Sequence, residues 1–453
     1  MSLEQESTLC LRELAINGGK KAVEEFEAQA GSRGLKVGAE EFMALADLFG
    51  YSPAAQEKLR AIVTEEDASV NPLLTRYYNP RPSRVAALEA YARETFGAKY
   101  ALGVNSGTSA LMAAYVACGI GPGTEVIVPA YTFYASAAAV VAAKGIPVIA
   151  EIDDSFTLDP EDVERKITPL TKAIVPVHMT GVCTNMDAIM DIARRHNLVV
   201  IEDNAQSCGG KYKGKYLGTI GNMGCFSLSS YKVVGAGEAG LVLTNDEWLY
   251  IRATSQHDTA ACWRPDRYAK ERRPGELFCG ENYRMSELEG AVNMNQLQGM
   301  EAQARRYNTT MRRVLGGLET FAKTRPRRSN DIEGDLGYDL ILIAEGREAA
   351  GRLAAALAAE GVPAGSRGTR SSRDWHIYSY WEQILEQKTA TPEGCPFTCP
   401  YHTGPLPPYS EDMCARSVEL FHCAVHISVN QWWTENDCRR VADAINKVCR
   451  VLG

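Results

Sequence analysis

Between residue 83 and about residue 250 the chain alternates short apolar runs with amphipathic stretches, and that alternation leaves few folds open. YALGV (100–104), EVIVP (125–129), PVIAE (147–151), AIVPV (173–177) and LVVIED (198–203) have strand length and are apolar nearly throughout. Strands buried on both faces read this way, whereas half-exposed ones alternate. Between them lie helical patterns such as VAALEAYARETFG, after a candidate Ser83 cap, SGTSALMAAYVACG and DAIMDIARRHN. The pattern predicts an α/β fold with a mostly parallel sheet covered on both faces. Ligands of such sheets sit beyond the carboxyl ends of the strands. The residues that follow each strand are therefore the ones to read for chemistry.

The rest of the chain divides around this core. Residues 1–70 read as a helical N-terminal extension, with KKAVEEFEAQAG and AEEFMALADLFG repeating apolar positions at helical spacing. Three prolines in NPLLTRYYNPRPSR (71–84) break that pattern. Residues 71–310 are expected to form a large domain, ending in a basic irregular stretch, WRPDRYAKERRPGE, and one long helix from NYRMSELEG onward. Residues 311–453 read as a smaller α+β domain. GYDLILIA is its strand, EAAGRLAAALAAEG a helix, 366–412 long loops rich in Pro, Tyr, His and Trp, and TENDCRRVADAINKVCRVLG a capped amphipathic helix.

Charge and composition remove several classes of function. The net charge is −8 with no basic stripe, so no nucleic-acid partner is expected. The longest apolar stretch, 135–143, is far short of the ~20 residues of a membrane span. MSLEQEST has neither a basic start nor an apolar core, so no secretory signal is expected. The 13 cysteines, odd in number and without framework spacing, fit reduced thiols. A cytoplasmic enzyme acting on small molecules is the expectation that remains.

Three signals follow strands. Asn105-Ser106-Gly107-Thr108-Ser109 opens a helix, where free N–H groups and hydroxyls either cap the helix or cradle a phosphate. Asp203, with Gln206 three residues on, could cap, bind a metal or pair with a cationic ring nitrogen. CFSLSSYK sets Ser227 and Lys232 after another strand. Each alone has a plainer structural reading. Together they are the parts that pyridoxal phosphate requires: a phosphate cradle, a carboxylate for the pyridine nitrogen and a lysine for the Schiff base.

In their order, SGTSAL, VPAYTF, PVHMTG, IEDNAQSCGG, FSLSSYK, GEAGLVLTND and ENYRMSELEGAV resemble the DegT/StrS sugar aminotransferases, fold-type-I enzymes dependent on pyridoxal phosphate. The likeness covers about residues 70–310, and LAINGGK also resembles the start of some members. It implies a large domain with a seven-stranded, mostly parallel sheet and a smaller C-terminal domain. Lys232 would form the Schiff base and shuttle the proton, and Asp203 would pair with the pyridinium. Gln206 would contact the ring hydroxyl, Gly107, Thr108 and Ser227 would hold the phosphate, and Phe133 would lie over the ring. Asn282 would reach the phosphate of a neighbouring subunit, making a homodimer with shared sites. Arg76, Tyr77, Tyr78, Tyr131, His178 and Arg284 are further candidates for the substrate pocket, with a structural role for His178 an equal alternative.

The implied reaction moves an amino group from glutamate or glutamine to a keto-sugar, keto-cyclitol or related secondary-metabolite ketone. Elimination, dehydration or bond formation on an amino acid at the same site is the alternative, and a binding protein without turnover a third. Ala239 stands where the family often has glycine, and WHIYSYWEQ, CPYHTGPLPPY and HISVNQWWTENDC depart from its pattern. The G-x-G-x-x-G of Gly235, Gly237 and Gly240 runs into a strand-like LVLTND, so no dinucleotide site is expected. Cys395, Cys399 and His402 lack a fourth ligand nearby, and no metal is expected. Trp375, Trp381, Trp432 and Trp433 read mainly as packing between domains.

Overall fold

The computed structural model describes residues 11, 13–21, 37–65, 73–77, 81–235, 237–367 and 373–453. The chain divides into two units, Met1–Leu73 and Leu74–Gly453. In the first, helices Ala39–Asp47 and Pro53–Glu65 pack on each other. Gln56 Nε2 reaches Asp47 Oδ1 at 2.9 Å between them. Most of KKAVEEFEAQAG lies outside the described residues.

In the second unit the apolar runs become β1 (Tyr100–Val104), β2 (Glu125–Pro129), β3 (Ile146–Ala150), β4 (Thr171–Ile174) and β5 (Val199–Asp203). A small hairpin, β6 (Lys211–Tyr212) and β7 (Lys215–Tyr216), precedes β8 (Met223–Ser227) and β9 (Gly240–Thr244). Seven of these form one sheet in the order β1-β9-β8-β5-β4-β2-β3. All pairings are parallel except those of β9, which runs antiparallel to both β1 and β8. Helices Gly107–Ala117, Ala135–Ala142 and Met186–His196 follow β1, β2 and β4. Leu102, Val104, Ile127, Ile149 and Ile201 are almost wholly buried, each adding about 1.5–3 kcal/mol by leaving water.

A second sheet is antiparallel throughout, β10 (Thr324–Pro326), β11 (Asp339–Ala344), β12 (Ala364–Ser366) and β13 (Ala424–Ser428), in the order β10-β11-β13-β12. Helices Arg347–Ala359 and Glu435–Leu452 pack against each other beside it. The last of these begins with a capping box between Thr434 and Asp437. The long helix expected from NYRMSELEG onward is two, Glu287–Gln298 and Met300–Gly316, because the chain turns at Gly299 and its N–H closes on the Gln296 and Leu297 carbonyls. The loop-rich stretch 366–412 holds two short helical turns, Tyr378–Tyr380 and Glu382–Leu385. No helix among the described residues is long and apolar enough to cross a membrane.

Candidate active site

Because β9 runs against its neighbours, its first residue lies at the same sheet edge as the last residues of β1 and β8. Gly240 faces Val104 on one side and Ser227 on the other. The helix after β1 starts there, capped by Ser106, whose Oγ accepts the Ser109 N–H at 3.0 Å. A Cβ on Gly107 would stand 2.7 Å from Ser227 Cβ, so only glycine lets the helix start approach that hydroxyl. The first-turn N–H groups of Gly107 and Thr108 have no acceptor within the helix. With the positive end of the helix and Ser227 beside them, they form an anion cradle.

Asp203 ends β5 and is buried. Its Oδ2 accepts the Ser136 hydroxyl at 2.8 Å and its Oδ1 the Ala205 N–H at 3.0 Å. Burial raises its pKa, while those two bonds and the charges of Lys232 and His178 hold it back. Lys232, in the connection from β8 to β9, has its pKa lowered by burial, with Asp203 opposing. A lowered lysine carries more neutral amine near neutral pH, the form that attacks a carbonyl. Ser136 was not among the residues expected from the sequence. It stands one helical turn after Thr132, whose hydroxyl lies 2.7 Å from its own.

Lys232 and Gln206 line a cavity of about 690 Å³ whose far wall is the four-stranded sheet, with Asp339, Arg367 and His426. Gln206 Oε1 accepts the Thr180 N–H at 2.9 Å, and Tyr338 OH donates to Gln206 O at 3.2 Å. Thr180 sits at φ 51°, strained for a β-branched residue, and is held by Gln206 and by Arg327 bonds to its hydroxyl and carbonyl. His426 Nδ1 lies 2.8 Å from Asp339 Oδ2, and its Nε2 is buried with no partner among the described residues. Arg367 Nη1 donates to Asp374 Oδ2 at 2.6 Å. Tyr338, Asp339, Arg367 and His426 carried no signal in the sequence, since they follow no large-sheet strand.

The candidates expected at the substrate pocket fare differently. Tyr131 is wholly buried, and its hydroxyl has no partner among the described residues. Burial pushes it up to about 12, with the charge of Arg367 the main opposing influence. Phe133 is half exposed, its ring 5.5 Å from that of His376. Asn282 is exposed, its Oδ1 accepting the Arg284 N–H at 3.3 Å, and Arg284 Nη1 donates to Asp258 Oδ1 at 2.7 Å.

Three candidates have partners within the protein. His178 is wholly buried, with Nε2 3.1 Å from Glu202 Oε2 and Nδ1 accepting the Thr184 N–H at 3.1 Å, which leaves no ring nitrogen for a substrate. Arg76 makes a two-pronged, nearly buried ion pair with Glu89. Tyr77 OH donates to His257 Nε2 at 2.9 Å. Both side chains are engaged within the protein, and Tyr78 lies outside the described residues.

The loop glycines open no helix: Gly240 starts β9, and a Cβ on Gly237 would meet the Glu289 carboxylate at 2.3 Å. His402 Nε2 lies 2.9 Å from Glu125 Oε1. Among the described residues no three His, Cys, Asp or Glu gather around a metal position. Trp381 is buried and Trp433 packs on the small-sheet core, whereas Trp432 is two-thirds exposed under Arg306.

The sequence profile of the DegT/DnrJ/EryC1/StrS aminotransferase family matches residues 61–392. The chain belongs to that family. Its members are enzymes dependent on pyridoxal phosphate. Among its relatives are the GDP-perosamine synthase of Caulobacter vibrioides, 39% identical over 49% of this chain and 57% of that protein, and the L-glutamine:2-deoxy-scyllo-inosose aminotransferase of Streptomyces kanamyceticus, 40% identical over 50% and 53%. The Pleiotropic regulatory protein of Geobacillus stearothermophilus is 38% identical over 51% and 60%. The chain thus spans little more than half the length of the curated relatives it matches. The crystal structure of 3-amino-5-hydroxybenzoic acid synthase superposes with a TM-score of 0.66 at 26% identity, over 88% of this chain and 96% of that one. DesV of S. venezuelae, in complex with a ketimine intermediate, gives the same TM-score and identity over 88% and 97%.

The residues present fit the family's cofactor. The cradle that a Cβ on Gly107 would fill suits a phosphate. The buried Asp203 carboxylate suits a protonated ring nitrogen, and Lys232 supplies an amine beside it.

Proposed function

We propose that this protein is an aminotransferase dependent on pyridoxal phosphate that moves an amino group from glutamate or glutamine to a keto-sugar, keto-cyclitol or related secondary-metabolite ketone. The observation that carries the reading is the meeting of Lys232, Asp203 and the Gly107–Ser227 pair at one edge of the seven-stranded sheet, where Lys232 also lines the cavity. The names of the relatives, a perosamine synthase and a scyllo-inosose aminotransferase, support a polyhydroxylated ketone as acceptor.

When bound, the cofactor supplies an aldehyde for the amine and an electron sink for the carbanion. Gly107, Thr108 and Ser227 would hold its phosphate. Asp203 would keep a proton on the ring nitrogen, with Ser136 fixing the carboxylate that does so. Gln206 would orient the ring hydroxyl, and Phe133 would close one face of the ring. Lys232 Nζ would take up and return the proton at the substrate α-carbon, a task suited to an amine whose pKa lies below the ordinary lysine value. The four-stranded sheet would meet the acceptor with the polar groups of Asp339, Arg367 and His426.

The active unit in this reading is a homodimer in which Asn282 completes the neighbouring phosphate site. Its exposure, and that of Tyr231 next to Lys232, support this.

The test is the absorbance of the purified protein with pyridoxal phosphate, before and after single amino acids. The expected result is a visible band that bleaches with glutamate or glutamine, with one equivalent of 2-keto acid released. Lys232→Ala is expected to lower turnover by at least about 10³-fold while still binding cofactor. Turnover that survived Lys232→Ala, or a wild-type protein with no band, would sink the reading.

A further inference from the structure

The segment 374–381, an unpatterned aromatic run in the sequence, is laid along the loop that leaves β2. Tyr378 N–H donates to Ala130 O, Thr132 N–H to His376 O and Tyr134 N–H to Trp375 O, each at 2.9 Å. Tyr131 and Ile377 pair as an antiparallel bridge. Two of the three donors lie on the loop after β2 and one on the segment, and the bonds tie the two stretches together side by side around the Tyr131–Ile377 bridge.

Side chains extend the contact. The Trp375 and Trp381 rings lie 5.4 and 5.9 Å from that of Tyr134, and Trp381 Nε1 donates to Trp375 O at 2.9 Å. The His376 ring lies 5.5 Å from Phe133 at an interplanar angle of 53°. His376 is itself fixed, since Nδ1 lies 2.8 Å from Asp374 Oδ1 while Asp374 Oδ2 takes Arg367. On its other side the same loop runs into Ser136, which holds Asp203.

We propose that 374–381 is a clamp on the loop carrying Phe133, and that His376 is the positioning residue that sets Phe133 for pyridoxal phosphate. This rests on the cofactor reading above. A half-exposed phenylalanine without a neighbour samples several rotamers, and a ligand that needs one of them must order it on binding. A ring anchored by Asp374 removes that freedom beforehand, so the cofactor binds a surface already arranged. Because Arg367 reaches both Asp374 and the cavity, the clamp also touches the substrate wall.

The experiment is titration of apo-protein with pyridoxal phosphate, with the circular dichroism of the bound cofactor as a second readout of ring orientation. His376→Ala is expected to weaken binding about tenfold and to reduce the visible dichroic band at equal occupancy. His376→Phe, which keeps a ring without the Asp374 bond, is expected to restore affinity to within about threefold of wild type. Apo-protein melting should shift little in either variant. Wild-type affinity and dichroism in His376→Ala, or no rescue by phenylalanine, would overturn the clamp and leave the cofactor reading standing. A wild-type protein that takes up no pyridoxal phosphate overturns both.

Discussion

The seven-stranded sheet gathers its site groups at strand ends, with Gln206 and Lys232 beyond those ends lining the cavity. Asp203 is the last residue of β5, Ser227 the last of β8, and Gly107 opens the helix after β1. The four-stranded sheet meets the same cavity with side chains held by other side chains: His426 on Asp339, and Arg367 on Asp374. The first kind of wall is set largely by backbone. The second depends on pairs of charged groups, and through Asp374 and His376 it also reaches the Phe133 loop. In the proposed reading the cofactor sits on the first wall and the substrate on the second.

Three measurements press on this division, the largest expected effect first. Arg76→Met should destabilise the fold by about 3–5 kcal/mol, because it leaves Glu89 buried without its guanidinium. The double change Arg76→Met with Glu89→Leu should recover most of that loss. Denaturant unfolding checks both. Unchanged stability with a raised KM would instead return Arg76 to the substrate and blur the two walls.

His257 comes next. Burial holds it down to about 4, with both ring nitrogens occupied by Tyr77 and the Thr254 carbonyl. An unfolded chain takes up that proton near pH 6.5, so the unfolded state binds more protons between these values. Stability is therefore full above about pH 6.5 and falls by up to about 3 kcal/mol as the pH drops toward 4. His257→Gln should flatten that limb in melting curves taken from pH 7 to pH 4.5. An equally steep limb in the variant would place the acid weakness elsewhere.

The smallest effect sharpens the comparison most. His426→Gln keeps an amide N–H for Asp339 but alters what faces the cavity. It should raise the KM of one substrate about fivefold, a hydrogen bond's worth, with cofactor affinity unchanged. Weakened cofactor binding in this variant would show that the two walls are not separate.

What the sequence made legible follows the same line. Apolar runs of strand length predicted the parallel sheet, and post-strand position singled out Asp203, Ser227 and Lys232, because a sheet edge turns sequence offset into spatial neighbourhood. No such rule covers Arg367 and Asp374, which pair beyond the end of β12, or His426, which sits mid-strand in β13. His178 and Arg76 illustrate the converse. Position and residue type suited a pocket, but a buried carboxylate, Glu202 or Glu89, claims each of them. The break at Gly299 was hidden because helical spacing continues on both sides of it.

The reversal of β9 has a further consequence. It returns the chain to the sheet edge it has just left, so the connection bearing Lys232 is tied at both ends. Leu228 N–H donates to Ala239 O at 2.7 Å, and Ser230 N–H to Gly237 O at 3.1 Å. An amine on so short a tether stays near its carbonyl partner after releasing it, at an effective concentration that no dissolved amine matches. In the proposed reaction a donor amino acid would therefore have to displace a competitor that never diffuses away. The advantage it needs has to come from the rest of its own structure, through contacts on the opposite wall.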